Sequence, residues 1–90
     1  MRSQELSEKD IAAGRIRFPS SAKRAFPSER AAVDVVLREL PLKARWHPHY
    51  DQDRERSGVL SVGREVLAGR VAPGEVLAVS VDDDGRISLT

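Results

Sequence analysis

Apolar and polar residues alternate with a period of two along much of the chain, the pattern of strands with one buried face. Arg15-Ile16-Arg17-Phe18 sets basic side chains against apolar ones, and Pro19 stops the run. Leu42 to His47 places Leu42, Ala44 and Trp46 on one face and Lys43, Arg45 and His47 on the other. Ala32 to Arg38 is valine-rich, Gly58 to Val62 is a short apolar run, and Glu75 to Val81 alternates Val76, Ala78 and Ser80 with Leu77, Val79 and Val81. Asp84-Gly85 is a hairpin signal, with Arg86 to Leu89 as the returning strand. Gln4 to Ser7 is a further candidate strand.

Between these runs, Lys9 to Arg15 reads as an irregular loop hinged at Gly14, and Pro48 to Ser57 as a polar loop without periodicity. Ser20 to Phe26 predicts a short helix, capped by Ser20, turning Ala22, Ala25 and Phe26 inward and ended by Pro27. Arg64 to Arg70 predicts a second, presenting Val66 and Leu67, with a turn at Ala72-Pro73-Gly74. The sum is a mainly β domain: a six- to seven-stranded open pseudobarrel with two short helices, spanning residues 1–90 as one unit. Its core is expected from Phe18, Phe26, Val35, Leu37, Trp46, Leu60, Val66, Leu67 and Val79.

Ninety residues supply one modest core and no second catalytic domain. The chain has no cysteine, which excludes disulfides, thiolate metal sites and cysteine nucleophiles. The charged N-terminus and the lack of a long apolar run predict a soluble, cytoplasmic protein. Net charge is only +1, but its distribution is uneven: residues 9–24 carry +4 and residues 75–90 carry −3. A folded domain then has one basic face. Arginine outnumbers lysine 12 to 3, and arginine is the residue suited to bidentate contact with phosphate or guanine. A GC-rich coding bias explains the same excess equally well.

Three segments in order resemble the opening of the B3-type DNA-binding pseudobarrel: Ser7-Glu8-Lys9-Asp10-Ile11, Gly14-Arg15-Ile16-Arg17-Phe18-Pro19 and Ala22-Lys23-Arg24-Ala25-Phe26-Pro27. Ser57 to Gly63 resembles that family's strand leading to its second helix, and Val71-Ala72-Pro73-Gly74-Glu75-Val76 its turn into the final strands. The family includes plant transcription-factor domains and the effector domains of bacterial restriction endonucleases of the EcoRII-like branch. Arg64 stands where the plant members usually have tryptophan; with the arginine-rich composition, this favours the bacterial branch.

The resemblance implies sequence-specific binding of double-stranded DNA by two arms in the major groove, Lys9 to Arg17 and His47 to Arg56. Arg15 and Arg17 are then candidates for guanine edges or phosphates, Arg54 and Arg56 for guanine, Gln52 for adenine, and Asp51, Asp53 or Glu55 for cytosine. His47, His49 and Tyr50 belong to the second arm. Lys9 lies in the first, and Lys23, Arg24, Lys43 and Arg45 are candidates for phosphate. The resemblance implies no cofactor and no catalytic centre, a monomer in isolation, and any cleavage by a nuclease domain in the same or a partner chain. Without it, Arg15 and Arg17 are plain solvated charges, and Asp51 to Arg56 is a surface loop whose acids neutralise its bases.

Two other readings stay open. His47, His49, Asp51 and Asp53 recur every second residue, so an extended strand points all four to one face, where they are able to bind a divalent ion. The run is similar to the His-x-His-x-Asp-His opening of metallo-β-lactamase-type hydrolases, but Gln52 replaces the final histidine and the chain has no other histidines. The third reading is a protein-interaction or small-ligand-binding barrel, which the low net charge favours.

Overall fold

The computed structural model describes residues 1–48 and 57–90. Six strands form one sheet: β1 (Arg15–Phe18), β2 (Ala31–Leu37), β3 (Leu40–His47), β4 (Gly58–Ser61), β5 (Val79–Val81) and β6 (Ile87–Leu89). Their order is β1-β4-β3-β2-β6-β5. All pairings are antiparallel except the parallel pair β2–β6. The sheet curls into a half-barrel, and the N-terminal segment spans its two edges. Ser3 N–H donates to Leu77 O at 2.8 Å and Leu6 N–H to Glu75 O at 2.9 Å on one side, and Gln4 N–H donates to Arg17 O at 2.8 Å on the other. Val79 N–H donates to Met1 O in turn. The strand expected at Gln4 to Ser7 is thus a bridging segment whose bonds go to two different neighbours. This closure satisfies strand edges that otherwise stay open to another chain.

The predicted alternation holds in register on β1, β3 and β4, whereas the run expected as a strand at Glu75 to Val81 is a strand only at Val79–Val81, where Val81 is exposed rather than buried with Leu77 and Val79. Ile16, Leu60 and Trp46 form one buried cross-strand row on β1, β4 and β3. Beneath it Trp46 stacks on Phe26 at 4.1 Å between ring centroids, and Phe18 meets Phe26 at 4.9 Å. The indole N–H donates to Pro27 O at 2.9 Å, which gives the buried polar atom the partner it needs. All the expected core residues are buried except Val66, which is half-buried.

Three further expectations change. Glu8–Ala13 is an α-helix, α1, where a loop was expected. Ser7 caps it: its hydroxyl accepts from Asp10 N–H, Asp10 accepts from Ser7 N–H, and Gly14 ends it in the left-handed region at φ 71°. This is a capping box with Asp at the third position, closed by a C-terminal glycine. Second, residues 64–70 form turns rather than a helix. Gly63 and Gly69 both have positive φ and bracket a stretch too short to nucleate one; Leu67 still anchors it in the core. Third, the helix at Ser20–Ala25 is a 3-10 helix that begins after Pro19 with no side-chain cap, so Ser20 does not cap it. Finally, β2 and β3 join through Arg38 and Glu39, both at positive φ (44° and 74°), a two-residue turn made without the usual glycine or asparagine.

Candidate nucleic-acid interface

The outer face of β1, β4 and β3 carries the side chains that alternate with the core. One row is Arg15–Ser61–Arg45, continued on β2 by Ala32. On one side of it is Arg17–Val59–His47, and on the other is Lys43, opposite Asp34. Strands lie about 4.8 Å apart, so Arg15 and Arg45 stand about 10 Å apart across the small Ser61. A shallow depression of about 440 Å³ opens here, lined by Arg30, Ala31, Ala32, Arg45, Trp46, His47 and Ser61. Lys43 reaches Asp34 only at 3.9 Å with both side chains about 70% exposed, a pair of little energetic weight.

The first arm is organised by Asp10. This carboxylate is 1% exposed. Its Oδ1 accepts from Arg15 Nε at 3.0 Å, and its Oδ2 accepts from Arg17 NH2 at 3.1 Å and Ser7 N–H at 3.2 Å. Burial pushes the Asp10 carboxyl upward, but the bonds from Ser7 and the two guanidinium groups outweigh it and hold its pKa below the ordinary 3.8. The arginines themselves stay 43% and 42% exposed. Each has spent one of its five N–H donors on Asp10; Arg15 has the other four left, while Arg17, whose Nε is buried without a partner, has three.

The two arms converge at their roots. His47, where β3 ends, is opposite Val59, which is opposite Arg17. Ser57, on the far side of the second arm, accepts a hydrogen bond from Gln4 Nε2. His49, Tyr50, Asp51, Gln52, Asp53, Arg54 and Arg56 lie outside the described residues, and with them three of the four groups of the metal reading. Among the described residues no three His, Asp or Glu side chains gather as a metal site.

The remaining candidates divide. Arg15, Arg17, Lys43, Arg45 and His47 share one face. Lys9 is exposed on α1, immediately before that face. Arg24 is exposed on the 3-10 helix, outside the rows. Lys23 departs from the expected phosphate contact: it is 4% exposed. The helix turns it inward beside Ala22, and its ammonium is not presented to solvent. Sequence reasoning missed Asp10 and Arg30. The signal for Asp10 was present, a Ser three residues before it and a glycine four after.

No family model and no curated protein sequence matches the chain. The fold is similar to that of the solved Arabidopsis FUS3–DNA complex, with a TM-score of 0.70 and 18% identity, covering 97% of this chain and 92% of that one. At this identity the likeness is one of fold, and it agrees with the mainly β pseudobarrel architecture.

Proposed function

We propose that this domain binds double-stranded DNA in a sequence-specific way, through the outer face of β1, β4 and β3. The observation that carries the reading is the grouping of Arg15, Arg17, Lys43, Arg45 and His47 on that face, in register, beside the roots of both arms. The likeness of fold to a protein solved with DNA supports it. The dimensions fit: the patch is about 10 Å wide across three strands, and the major groove is about 12 Å wide. In this reading Arg15 and Arg17 meet base edges, while Arg45, Lys43 and Lys9 hold phosphates and fix register. The acidic Asp82-Asp83-Asp84 tip lies on the β5–β6 hairpin, and no acid stands in the Arg15–Ser61–Arg45 and Arg17–Val59–His47 rows, so a net charge of +1 does not oppose binding there.

The test is selection of bound duplexes from a random pool at about 0.15 M salt. Recovery of a defined motif is expected. Arg15→Ala then weakens the selected site by about 1–3 kcal/mol and relaxes one position, while Lys43→Ala weakens all duplexes alike and lowers the salt slope by about one. Equal binding of all duplexes by the wild type refutes the reading. The narrower assignment, the effector domain of a cytoplasmic bacterial restriction endonuclease, rests on the arginine-rich composition and Arg64. It predicts a nuclease domain in the same or a partner chain, and cleavage only of DNA bearing the selected motif.

A further inference from the structure

We propose that Asp10 is a positioning residue for DNA recognition: one buried carboxylate fixes Arg15 and Arg17 as a rigid pair, and sequence discrimination depends on that pairing. The inference rests on the DNA-binding reading above and assigns a role to a residue of opposite charge to the ligand. An acid in a basic arm normally weakens attraction to a polyanion. Asp10 differs because it does not face the ligand. It is 1% exposed, and both its oxygens are occupied from the protein side.

Arg15 and Arg17 lie two residues apart on the same face of β1. Oδ1 is assigned to one arginine and Oδ2 to the other. Ser7 holds the carboxylate from behind through its N–H, and the capping box fixes α1 beneath it. A free arginine side chain samples many rotamers and loses that freedom on binding. Two arginines already bonded at Nε and NH2 meet the duplex with their planes set, and base-edge recognition depends on that geometry. Phosphate attraction tolerates a mobile cation and depends on it much less.

Asp10→Asn separates the two effects by sign. Asparagine offers one acceptor oxygen and turns an NH2 donor toward the second guanidinium, so it holds at most one arginine. It also raises the net charge by one. If Asp10 only dilutes the basic charge, the variant binds every duplex more tightly. If Asp10 positions the pair, the variant binds the selected site about tenfold or more weakly, while an unrelated duplex binds equally or more tightly. Kd for both duplexes is measured by fluorescence anisotropy across a salt series, with folding checked by circular dichroism. Tighter or unchanged binding of the selected site overturns the proposal. A second measurement does not depend on the variant folding: in the ¹H–¹⁵N spectrum of the free wild-type protein, the Arg15 Nε–H is expected as a sharp, slowly exchanging resonance that Arg15→Lys removes. A Nε–H that exchanges as fast as a solvated arginine overturns the clamp. Failure of the DNA reading shows itself separately, because the wild-type protein then selects no motif from the pool.

Discussion

Gly14 is the joint between the first arm and the sheet, and replacing it with alanine tests the packing there. Its φ of +71° is strained for any residue with a Cβ, at roughly 1 kcal/mol. Space is the larger obstacle. A Cβ at this position would sit 2.2 Å from the carbonyl carbon and oxygen of Gly63 and 2.5 Å from Arg64 N. Reaching the 3.4 Å of ordinary contact from 2.2 Å requires a shift of about 1.2 Å against backbone. Gly14 O also accepts from Val62 N–H at 2.8 Å and Gly63 N–H at 3.3 Å, so the two segments cannot part without loosening those bonds. Overpacking of this kind costs about 1–3 kcal/mol, for a total of about 2–4 kcal/mol. In a domain of this size that lowers Tm by roughly 10–25 °C. Gly69→Ala is the control: its φ of +80° carries the same conformational penalty, but nothing lies within 4 Å of its Cβ. Urea unfolding of both variants, followed by tryptophan fluorescence, isolates the steric part. Equal destabilisation by the two refutes the close approach of Gly14 to Gly63.

Other substitutions probe other parts of the scaffold. Trp46→Phe removes the indole bond to Pro27 O and part of the stacked ring, and is expected to cost about 1–2 kcal/mol in urea unfolding followed by circular dichroism. Glu39→Gly relieves a φ of 74° in the β2–β3 turn and is expected to stabilise by a few tenths to about 1 kcal/mol, read as a rise in Tm. Asp10 and Glu75 both have carboxyls below their ordinary values of 3.8 and 4.5, Glu75 through the Ala72 N–H and then Arg38. A depressed folded pKa favours the folded state above the unfolded value and loses that contribution as pH falls through the folded one. Stability is therefore expected to drop on acidification below the ordinary carboxylate range. Glu75→Gln flattens that part of the profile, and an unchanged acid limb in Asp10→Asn and Glu75→Gln together refutes the assignment.

Period-two alternation made the strands legible because one residue's slip would bring Lys43 and Arg45 into the core in place of Ala44 and Trp46. Burial of one face enforces what the pattern announces. The parts that were not legible depend on contacts distant in sequence. The N-terminal segment bonds to Arg17 on one side and to Glu75 and Leu77 on the other, and nothing within residues 1–6 shows that it spans two edges. The Arg38–Glu39 turn lacks the residues that normally mark such geometry; the pairing of Leu37 with Leu40 imposes it. Residues 64–70 are rich in helix formers, but Gly63 and Gly69 at positive φ override that preference.

The candidate site shows the same division more sharply. Arg15 and Arg17 were legible as a basic face on β1, and Arg45 and His47 as another on β3; only the register through Ser61 and Val59 makes them one surface. Charge counting along the chain treats Asp10 as the single acid that lowers a basic segment from +5 to +4. Burial changes its meaning. A solvated aspartate at this position subtracts from the field a polyanion meets. A carboxylate nearly removed from water, with Arg15 and Arg17 on separate oxygens, instead fixes where that field points. Lys23 is the converse case: a cation counted toward the basic face that the 3-10 helix turns inward. On the proposed DNA-binding reading, the number of charges in the arm is therefore a poor guide to recognition. Asp10→Asn raises that number while loosening the geometry, so its effect on a selected site tells which of the two the domain depends on.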